Sequence, residues 1–455
     1  MDTEFLPNNL HLKSLAAFKN NDPQLSNLYN QKYTFRSQII DELPIDVPGI
    51  YNVSGGRQIG KTTLLKQWML HLMTNQIKPE AIAFLSCELI VDEKSLYRII
   101  SNQLSDMPEK STLYLIIDEI TYVSHWDKAI KYLADTGALK RVALIISGSD
   151  LTLMQEARKR FPGRRGKADK VDFHYHPLSF QQTFALTHKL KGDFSRDKLV
   201  TEKEMSLYYK AFYEYMIHGG FLTAINEYAK TQSISIRTLE TYSDWIRGDV
   251  IKHGKKEHYL RELISAILKH YSSQISWRNL VNALSIDHTQ TAIDYINLLE
   301  SMDAVFIQSA LIEDKLVGAP KKHRKFMFND PFIYHAMQAW LKPTTSPFTT
   351  QITPTINDSV TASKLVESIV ATHFSRHYPT YYIKAENEVD VAYIKDNQFF
   401  PIETKWTHQL RPSDLKQILK YKNGEIWCKL DEKSEIQNIP IWPLPWALLS
   451  QDWST

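Results

Sequence analysis

Two groups of residues in this sequence have the types and spacing of chemistry. The first is "SGGRQIGKTT", in which Gly55, Gly60, Lys61 and Thr62 stand as G-x-x-x-x-G-K-T, with Gly56 beside the first glycine. Each position answers a need of phosphate binding. Loop and helix N–H groups hold phosphate oxygens, and glycine removes the side chains that would block them. Lys61 reaches the β- and γ-phosphates, and Thr62 ligates Mg²⁺. Further along, "LYLIIDEI" ends in Asp118 and Glu119. Asp118 would hold the Mg²⁺ through water, and Glu119 would orient or activate an attacking water. ATP with Mg²⁺ is therefore the expected cofactor pair.

The second group lies near the C-terminus. "NEVDVAYIKDNQFFPIETKW" contains Asp390, Glu403 and Lys405 as D-x12-E-x-K. Residues two apart on a strand share a face, so Glu403 and Lys405 point together, with Thr404 turned away. Asp390 and Glu403 would hold Mg²⁺, and Glu367 would complete or orient that site. Lys405 would position the attacking water and offset transition-state charge. Acids and lysines are common, so the pattern draws its weight from its surroundings; the bland alternative is a solvated hairpin.

Those surroundings are elements that can position the groups. Ile50 to Val53, the glycine loop and the apolar series Leu64, Leu65, Trp68, Met69 and Leu72 read as strand, loop and helix. Leu113 to Ile117 reads as a strand buried on both faces, with its acids at the C-terminal end, where open α/β sheets bind ligands. "RVALIISGSD" reads as another such strand, ending in Ser147 and Ser149. From about Gln181 the pattern turns helical. Leu260 to Ile267, Leu280 to Leu284 and Ala292 to Leu298 suggest three short helices before a strand, the order of a winged-helix module. The third helix carries no Arg or Lys, which favours packing over reading of DNA. "LKPTTSPFTTQITPTINDS" reads as a linker, followed by an amphipathic helix bearing Glu367, the hairpin with its "KDNQ" turn, and a last helix bearing Gln417. The expected division is 1–185 P-loop ATPase domain, 186–254 helical subdomain, 255–342 winged-helix region, 343–362 linker and 363–455 nuclease-like domain.

At 455 residues the chain exceeds one core, and roughly three domains are expected. Its 54 Lys and Arg against 51 Asp and Glu are too nearly balanced to announce nucleic acid, so any such role must rest on local patches. "GAPKKHRKF", with Lys321, Lys322, Arg324 and Lys325, is the better one. The other, "EARKRFPGRRGKADK", contains Arg158, Lys159, Arg160, Arg164, Arg165 and Lys167. Like charges so dense usually make a solvated loop; the sharper alternatives are an arginine finger acting in cis or in trans from Arg164 or Arg165, or a phosphate-backbone contact. His174 and His176 alternate onto one face, but no third ligand stands nearby, so no metal is expected there. Cys87 and Cys428 are too far apart in sequence for a disulfide framework or a CxxC site, which fits a reducing cytoplasm. No signal-like segment or apolar run of about 18 residues occurs, so a cytoplasmic protein without membrane association is expected.

Together with "ISGSD", "HPLSFQQTF", "MIHGGF", "KFMFNDP", "NEVDVAYI" and "PIETKW", these motifs give the chain a resemblance over nearly its whole length. It resembles prokaryotic AAA+ ATPases of the archaeal-ATPase-like type, which carry a winged-helix region and a C-terminal PD-(D/E)XK nuclease-like domain. The resemblance implies an α/β fold with three parts: a P-loop AAA+ core on a parallel sheet, a helical and winged-helix middle, and a C-terminal restriction-endonuclease-like α/β domain. It also implies ATP binding at Gly55, Gly56, Arg57, Gln58, Gly60, Lys61, Thr62 and Thr63, catalysis by Glu119, and a divalent-metal site at Asp390, Glu403 and Lys405. Gly56 departs from the family's usual Pro, and Thr121 from its preferred Gln. The expected function is an ATPase coupled to a metal-dependent nuclease or nucleic-acid-handling domain. Its rival is a nucleotide-controlled switch whose C-terminal domain binds a partner without cutting. DNA or RNA, a protein partner and a homo-oligomer all remain open.

Overall fold

The computed structural model describes residues 3–108, 111–149, 155, 159–189, 194–282, 284–286, 288–411 and 415–453, and these form two compact units, Met1–His176 and Pro177–Thr455. Arg158 of the basic loop lies outside the described residues.

In the first unit, five parallel strands form one sheet: β1 (Gly49–Ser54), β2 (Ile82–Ser86), β3 (Leu113–Asp118), β4 (Val142–Gly148) and β5 (Asp172–His174), in the order β2-β3-β4-β1-β5. The apolar runs are buried on both faces because alternate residues feed separate cores. Leu113, Leu115 and Ile117 of β3 join Leu144 and Ile146 of β4 on the face covered by α2 (Trp126–Asp135). Tyr114 and Ile116 join Ala143 and Ile145 on the other face, against α1 (Lys61–Thr74), which contributes Leu64, Leu65, Trp68, Met69 and Leu72. The topology sets β4 between β1, which leads into the glycine loop, and β3, which ends in Asp118.

An N-terminal segment is fastened to this core by a buried ion pair. Asp22 accepts the Gln24 and Leu25 N–H groups at the head of helix Pro23–Tyr29, and its other oxygen lies 3.2 Å from Lys66 Nζ of α1. Both side chains are fully buried, and the ammonium also sits 3.9 Å from the centre of the Phe84 ring.

The second unit begins with helices, among them α3 (Glu202–His218), opened by a Thr201/Glu204 capping box, and α4 (Ile236–Lys252). The expected order of helix, short helix, helix and strand follows as α5 (Glu257–Lys269), α6 (Trp277–Val281), α7 (Thr289–Ser301) and β6 (Val305–Ser309). After the short pair β7 (Leu311–Ile312) and β8 (Val317–Gly318), β9 (Arg324–Phe328) returns antiparallel to β6. Helix α7 is committed to packing, burying Ala292, Tyr295, Ile296 and Leu299. Asp330 caps α8 (Pro331–Leu341) by accepting the Phe332 N–H, and it also accepts the Gly220 N–H, both at 2.8 Å. In this way "MIHGGF" meets "KFMFNDP".

The expected linker at 343–362 is instead largely helical. A π-helical turn (Phe348–Ile352) runs into helix Thr353–Asn357, and α9 (Ser359–Ser375) starts inside the same stretch. Its Thr and Pro composition concealed helix starts. Pro354 falls in a first turn, where its missing N–H costs nothing, and Asp358 caps α9 by accepting the Thr361 N–H at 2.8 Å.

The C-terminal sheet comprises β10 (Thr380–Lys384), β11 (Glu388–Lys395), β12 (Gln398–Lys405), β13 (Glu425–Cys428), β14 (Ser434–Ile436) and β15 (Ile439–Pro443), in the order β10-β11-β12-β13-β15-β14. β12, β13 and β15 run parallel; the other pairings are antiparallel. The hairpin closes at Lys395↔Gln398 over Asp396 and Asn397, both left-handed, as a two-residue turn between twisted strands requires. Of the helix expected between β12 and β13, residues 412–414 lie outside the described ones, Leu415 is helical, and a 3-10 turn, Ile418–Lys420, follows. Gln308 of β6, fully buried, donates to the carbonyls of Tyr381 and Asp390 at 3.0 Å each and so ties the β6/β9 pair to β10 and β11.

Candidate functional site

In the first unit, the loop between β1 and α1 turns on two glycines. Gly60 takes a left-handed conformation (φ 94°) at the cap of α1. A Cβ at Gly55 would lie 2.3 Å from the Tyr175 carbonyl oxygen, so no other residue fits there. The first-turn N–H groups of α1, at Lys61, Thr62 and Thr63, have no intrahelical acceptors and carry the positive end of the helix dipole. The Lys61 ammonium donates to the carbonyls of Gly55 and Gly56 at 3.1 and 2.9 Å and lies 3.6 Å from Glu119 Oε1. Burial pushes its pKa down, against the pull of Glu119 and Asp118.

The acids at the end of β3 are held from both neighbouring elements. Thr62 Oγ1 donates to Asp118 Oδ2 at 2.7 Å, and Ser147 of β4 donates to Oδ1. Burial raises the Asp118 pKa in spite of these bonds. Glu119 is left-handed (φ 53°), and its N–H donates to Ser147 Oγ at 3.1 Å. That turn directs its carboxylate back to Lys61 and to the Ser149 hydroxyl, which donates to Oε2 at 3.2 Å. Arg57 reaches Ser149 Oγ at 3.5 Å and the Tyr122 hydroxyl at 3.2 Å; Gln58 is left-handed in the loop (φ 60°). Thr62 and Asp118 thus bring hard oxygen ligands together at a helix N-terminus, a donor set that fits Mg²⁺ on a nucleotide phosphate. The two serines, readable from sequence as turn formers, are the groups that orient the acids.

The described arginines of the basic loop, Arg160, Arg164 and Arg165, are engaged by carboxylates. Arg164 pairs with Asp135 at 2.5 Å and Arg160 with Asp127 at 2.7 Å. Arg165 forks onto Asp172 at 2.6 and 2.5 Å while its own carbonyl accepts the Ile50 N–H. The rings of His174 and His176 stack at 3.9 Å.

In the second unit, the hairpin does gather charge, in a different grouping from the expected one. Glu367 of α9 and Asp390 of β11 come together with Glu388, two residues before Asp390, so that one oxygen from each lies within 4.8 Å of the others. Glu403 is not in that set. A lysine that sequence assigned to a basic patch enters it instead. Lys325 of β9 is 1% exposed, and its ammonium lies 2.6 Å from Glu367 Oε1, in contact with Glu388 and 4.0 Å from Asp390 Oδ1. Burial lowers the Lys325 pKa, but the three carboxylates outweigh it and leave it raised. Burial raises Glu367 to about 7, with Lys325 opposing and Asp390 adding to the shift.

Asp390 Oδ2 accepts both the N–H and the hydroxyl of Thr404, at 2.9 and 2.8 Å. Thr404, expected to turn away, is the group that orients this carboxylate. Glu403 and Lys405 do share a face: Lys405 Nζ lies 2.6 Å from Glu403 Oε1. Glu403 is 3% exposed, and among the described residues its Oε2 has no hydrogen-bond partner. Burial pushes its pKa well up, and Asp390 pushes it further. Gln417, which sequence offered as an assisting residue or else an exposed helix position, is buried, accepting the Asn387 N–H and donating to the Tyr421 hydroxyl. The donor set fits a divalent cation on two observations. The three clustered groups are all carboxylates, and the buried Glu403 Oε2 nearby has no hydrogen-bond partner among the described residues. Glu388 was legible as an acid two residues from Asp390 on one strand face; nothing in the sequence pointed to Lys325 or Thr404.

Residues 48–184 match the family model described as an AAA domain, and residues 209–344 match a domain of unknown function, DUF8612. An uncharacterized protein of Haemophilus influenzae is 25% identical over 298 residues, covering 63% of this chain and 68% of the relative. An uncharacterized protein of Methanocaldococcus jannaschii is 25% identical over 311 residues, covering 62% of this chain and 64% of the relative. The chain thus spans about two thirds of the length of these curated relatives. Among solved structures, a Walker-type ATPase of Pyrococcus abyssi is 14% identical with a TM-score of 0.39, covering 64% of this chain and 91% of its own. The Aeropyrum pernix ORC1 protein, solved in complex with DNA, is 11% identical with a TM-score of 0.33, covering 64% and 86%. The first unit therefore carries a P-loop ATPase-like domain similar to the AAA domain. Among the described residues, no helix is long and apolar enough to cross a membrane.

Proposed function

We propose that this chain is an ATP hydrolase whose nucleotide cycle governs a divalent-metal site in its second unit, acting on the phosphodiester backbone of DNA or RNA. The observation that carries the first half is the convergence of Lys61, Thr62, Asp118 and Glu119 around one helix N-terminus. Lys61 and the α1 N–H groups would bind the phosphates, Thr62 and Asp118 would hold Mg²⁺, and Glu119, kept in place by Ser149, would orient the water. ATP turnover that falls about a hundredfold or more in Glu119→Gln, with ATP binding retained, is the expected result. Equal turnover in the variant refutes the assignment.

The second half is carried by the carboxylate cluster around the hairpin, and it reads the second unit as a winged-helix module followed by a restriction-endonuclease-like domain. Glu367, Glu388 and Asp390 would hold a Mg²⁺, with Glu403, the residue expected there from sequence, as a fourth carboxylate; the cation would supply charge for the phosphorane-like transition state. Thr404 keeps Asp390 turned to the site, and Lys405, ion-paired to Glu403, would position the attacking water. Cleavage of single- or double-stranded DNA or RNA that needs Mg²⁺ or Mn²⁺ and is lost in both Asp390→Ala and Lys405→Ala is expected. A wild type that cuts nothing in any nucleotide state defeats this half alone. It would leave the rival reading, a nucleotide-controlled switch that binds a partner without cleavage, which the seating of Lys325 among the acids favours.

A further inference from the structure

The carboxylate cluster already contains a cation, and that cation belongs to the protein. The Lys325 ammonium lies against Glu367 and Glu388 and faces Asp390, the three residues whose oxygens come close enough together to share one metal ion. A metal bound by those three oxygens would stand where Nζ stands, because both seek the same lone pairs at similar distances. The two cannot share the cage. Nor is the lysine a full substitute. Its ammonium stands 4.0 Å from Asp390 Oδ1, beyond hydrogen-bond reach, and Lys405 is engaged by Glu403. Glu403 Oε2, buried and without a hydrogen-bond partner among the described residues, is a separate sign of a bound ligand.

We infer that Lys325 is an internal competitor for the metal, a tethered ammonium that keeps the second unit's site latent until a divalent cation displaces it. The inference rests on the metal-site reading above and adds that loading requires withdrawal of a side chain carried by β9, outside the hairpin and helix that supply the acids. The lysine is well suited to this. Its strand is anchored independently, through pairing to β6 and through Gln308, so the four-carbon stem can leave the cage while the backbone stays.

The test uses the full chain without nucleotide and Mn²⁺ as the probe. First, wild-type protein is treated with an amine-reactive ester, with and without saturating Mn²⁺, and modification of Lys325 is read by mass spectrometry. Protection without metal and labelling with it are expected. Second, Mn²⁺ affinity is compared between wild type and Lys325→Met by calorimetry. Removing a competitor at contact distance should tighten binding by about tenfold or more. Mn²⁺ that binds while Lys325 stays protected, or an affinity within about twofold of wild type in Lys325→Met, overturns the inference and leaves the metal site standing. No Mn²⁺ bound by either chain overturns both. If Lys325→Met fails to fold, the labelling experiment, which needs only wild type, decides.

Discussion

Replacing Gly219 by alanine should be among the most damaging single-methyl changes in the second unit. Gly219 has φ 56° and ψ −150°, a conformation nearly reserved to glycine, whose occupation by another residue costs about 1–3 kcal/mol. A Cβ there would also sit 1.7 Å from Asp330 Oδ1, which must then move. Asp330 is 1% exposed and accepts the Gly220 and Phe332 N–H groups, so its displacement breaks a charged hydrogen bond worth about 1.5–3 kcal/mol. The sum is about 2.5–6 kcal/mol. Two other glycines of the same unit isolate the cause. Gly254 is also left-handed (φ 69°), but a Cβ there meets nothing within 4 Å, so Gly254→Ala should cost only about 1–2 kcal/mol. Gly248 lies inside α4 with open space around it, and Gly248→Ala should stabilise by about 0.5–1 kcal/mol. Urea unfolding followed by fluorescence, with all three variants compared on the transition they share, reads the differences. A Gly219→Ala no less stable than Gly254→Ala refutes the argument that Asp330 occupies that space.

Other consequences follow from the same contacts. Burial raises Asp330 to about 6, above its value in the unfolded chain, so the folded state holds this proton more tightly and its contribution is lost as pH rises from about 4 to 6; the wild type should lose about 2 kcal/mol relative to Asp330→Asn over that range, and parallel pH profiles of the two would be the contrary result. Lys66→Met should destabilise the first unit by about 3–5 kcal/mol because Asp22 is left buried and uncompensated, and a double-mutant cycle with Asp22→Asn should recover part of it. Thr62→Ala should weaken the Mg²⁺ dependence of ATP binding more than the binding itself, whereas Lys61→Ala should weaken binding in the absence of metal too; titration of a fluorescent ATP analogue with and without Mg²⁺ separates them.

Sequence legibility followed the range of the forces involved. Periodicity and loop chemistry are local, and they foretold β1, β3, β4, α1, the three helices before β6 and the hairpin turn at Asp396 and Asn397. The pairing of Glu403 with Lys405 was legible because two residues on one strand share a face. Composition misled where capping decided: Thr and Pro between 343 and 362 suggested a linker, yet Pro354 and Asp358 begin helices. The larger miss was Lys325. Four cationic residues within "KKHRKF" look alike in sequence, but β9 turns one of them inward, toward acids supplied by α9 and β11. Which lysine of a cluster is buried depends on strand parity and on what packs against the strand, and neither is written in the cluster itself. Thr404 was misjudged for a related reason, since its partner Asp390 lies on the adjacent strand.

The central claim joins the two sites in one chain, and Mn²⁺-dependent cleavage measured in single turnover with ATP, with ADP and without nucleotide tests it most directly. Cleavage that disappears in Asp390→Ala and differs by about tenfold or more between nucleotide states in wild type, but not in Lys61→Ala, is the predicted result. Cleavage of equal rate in Asp390→Ala, or none in any state, would contradict the account.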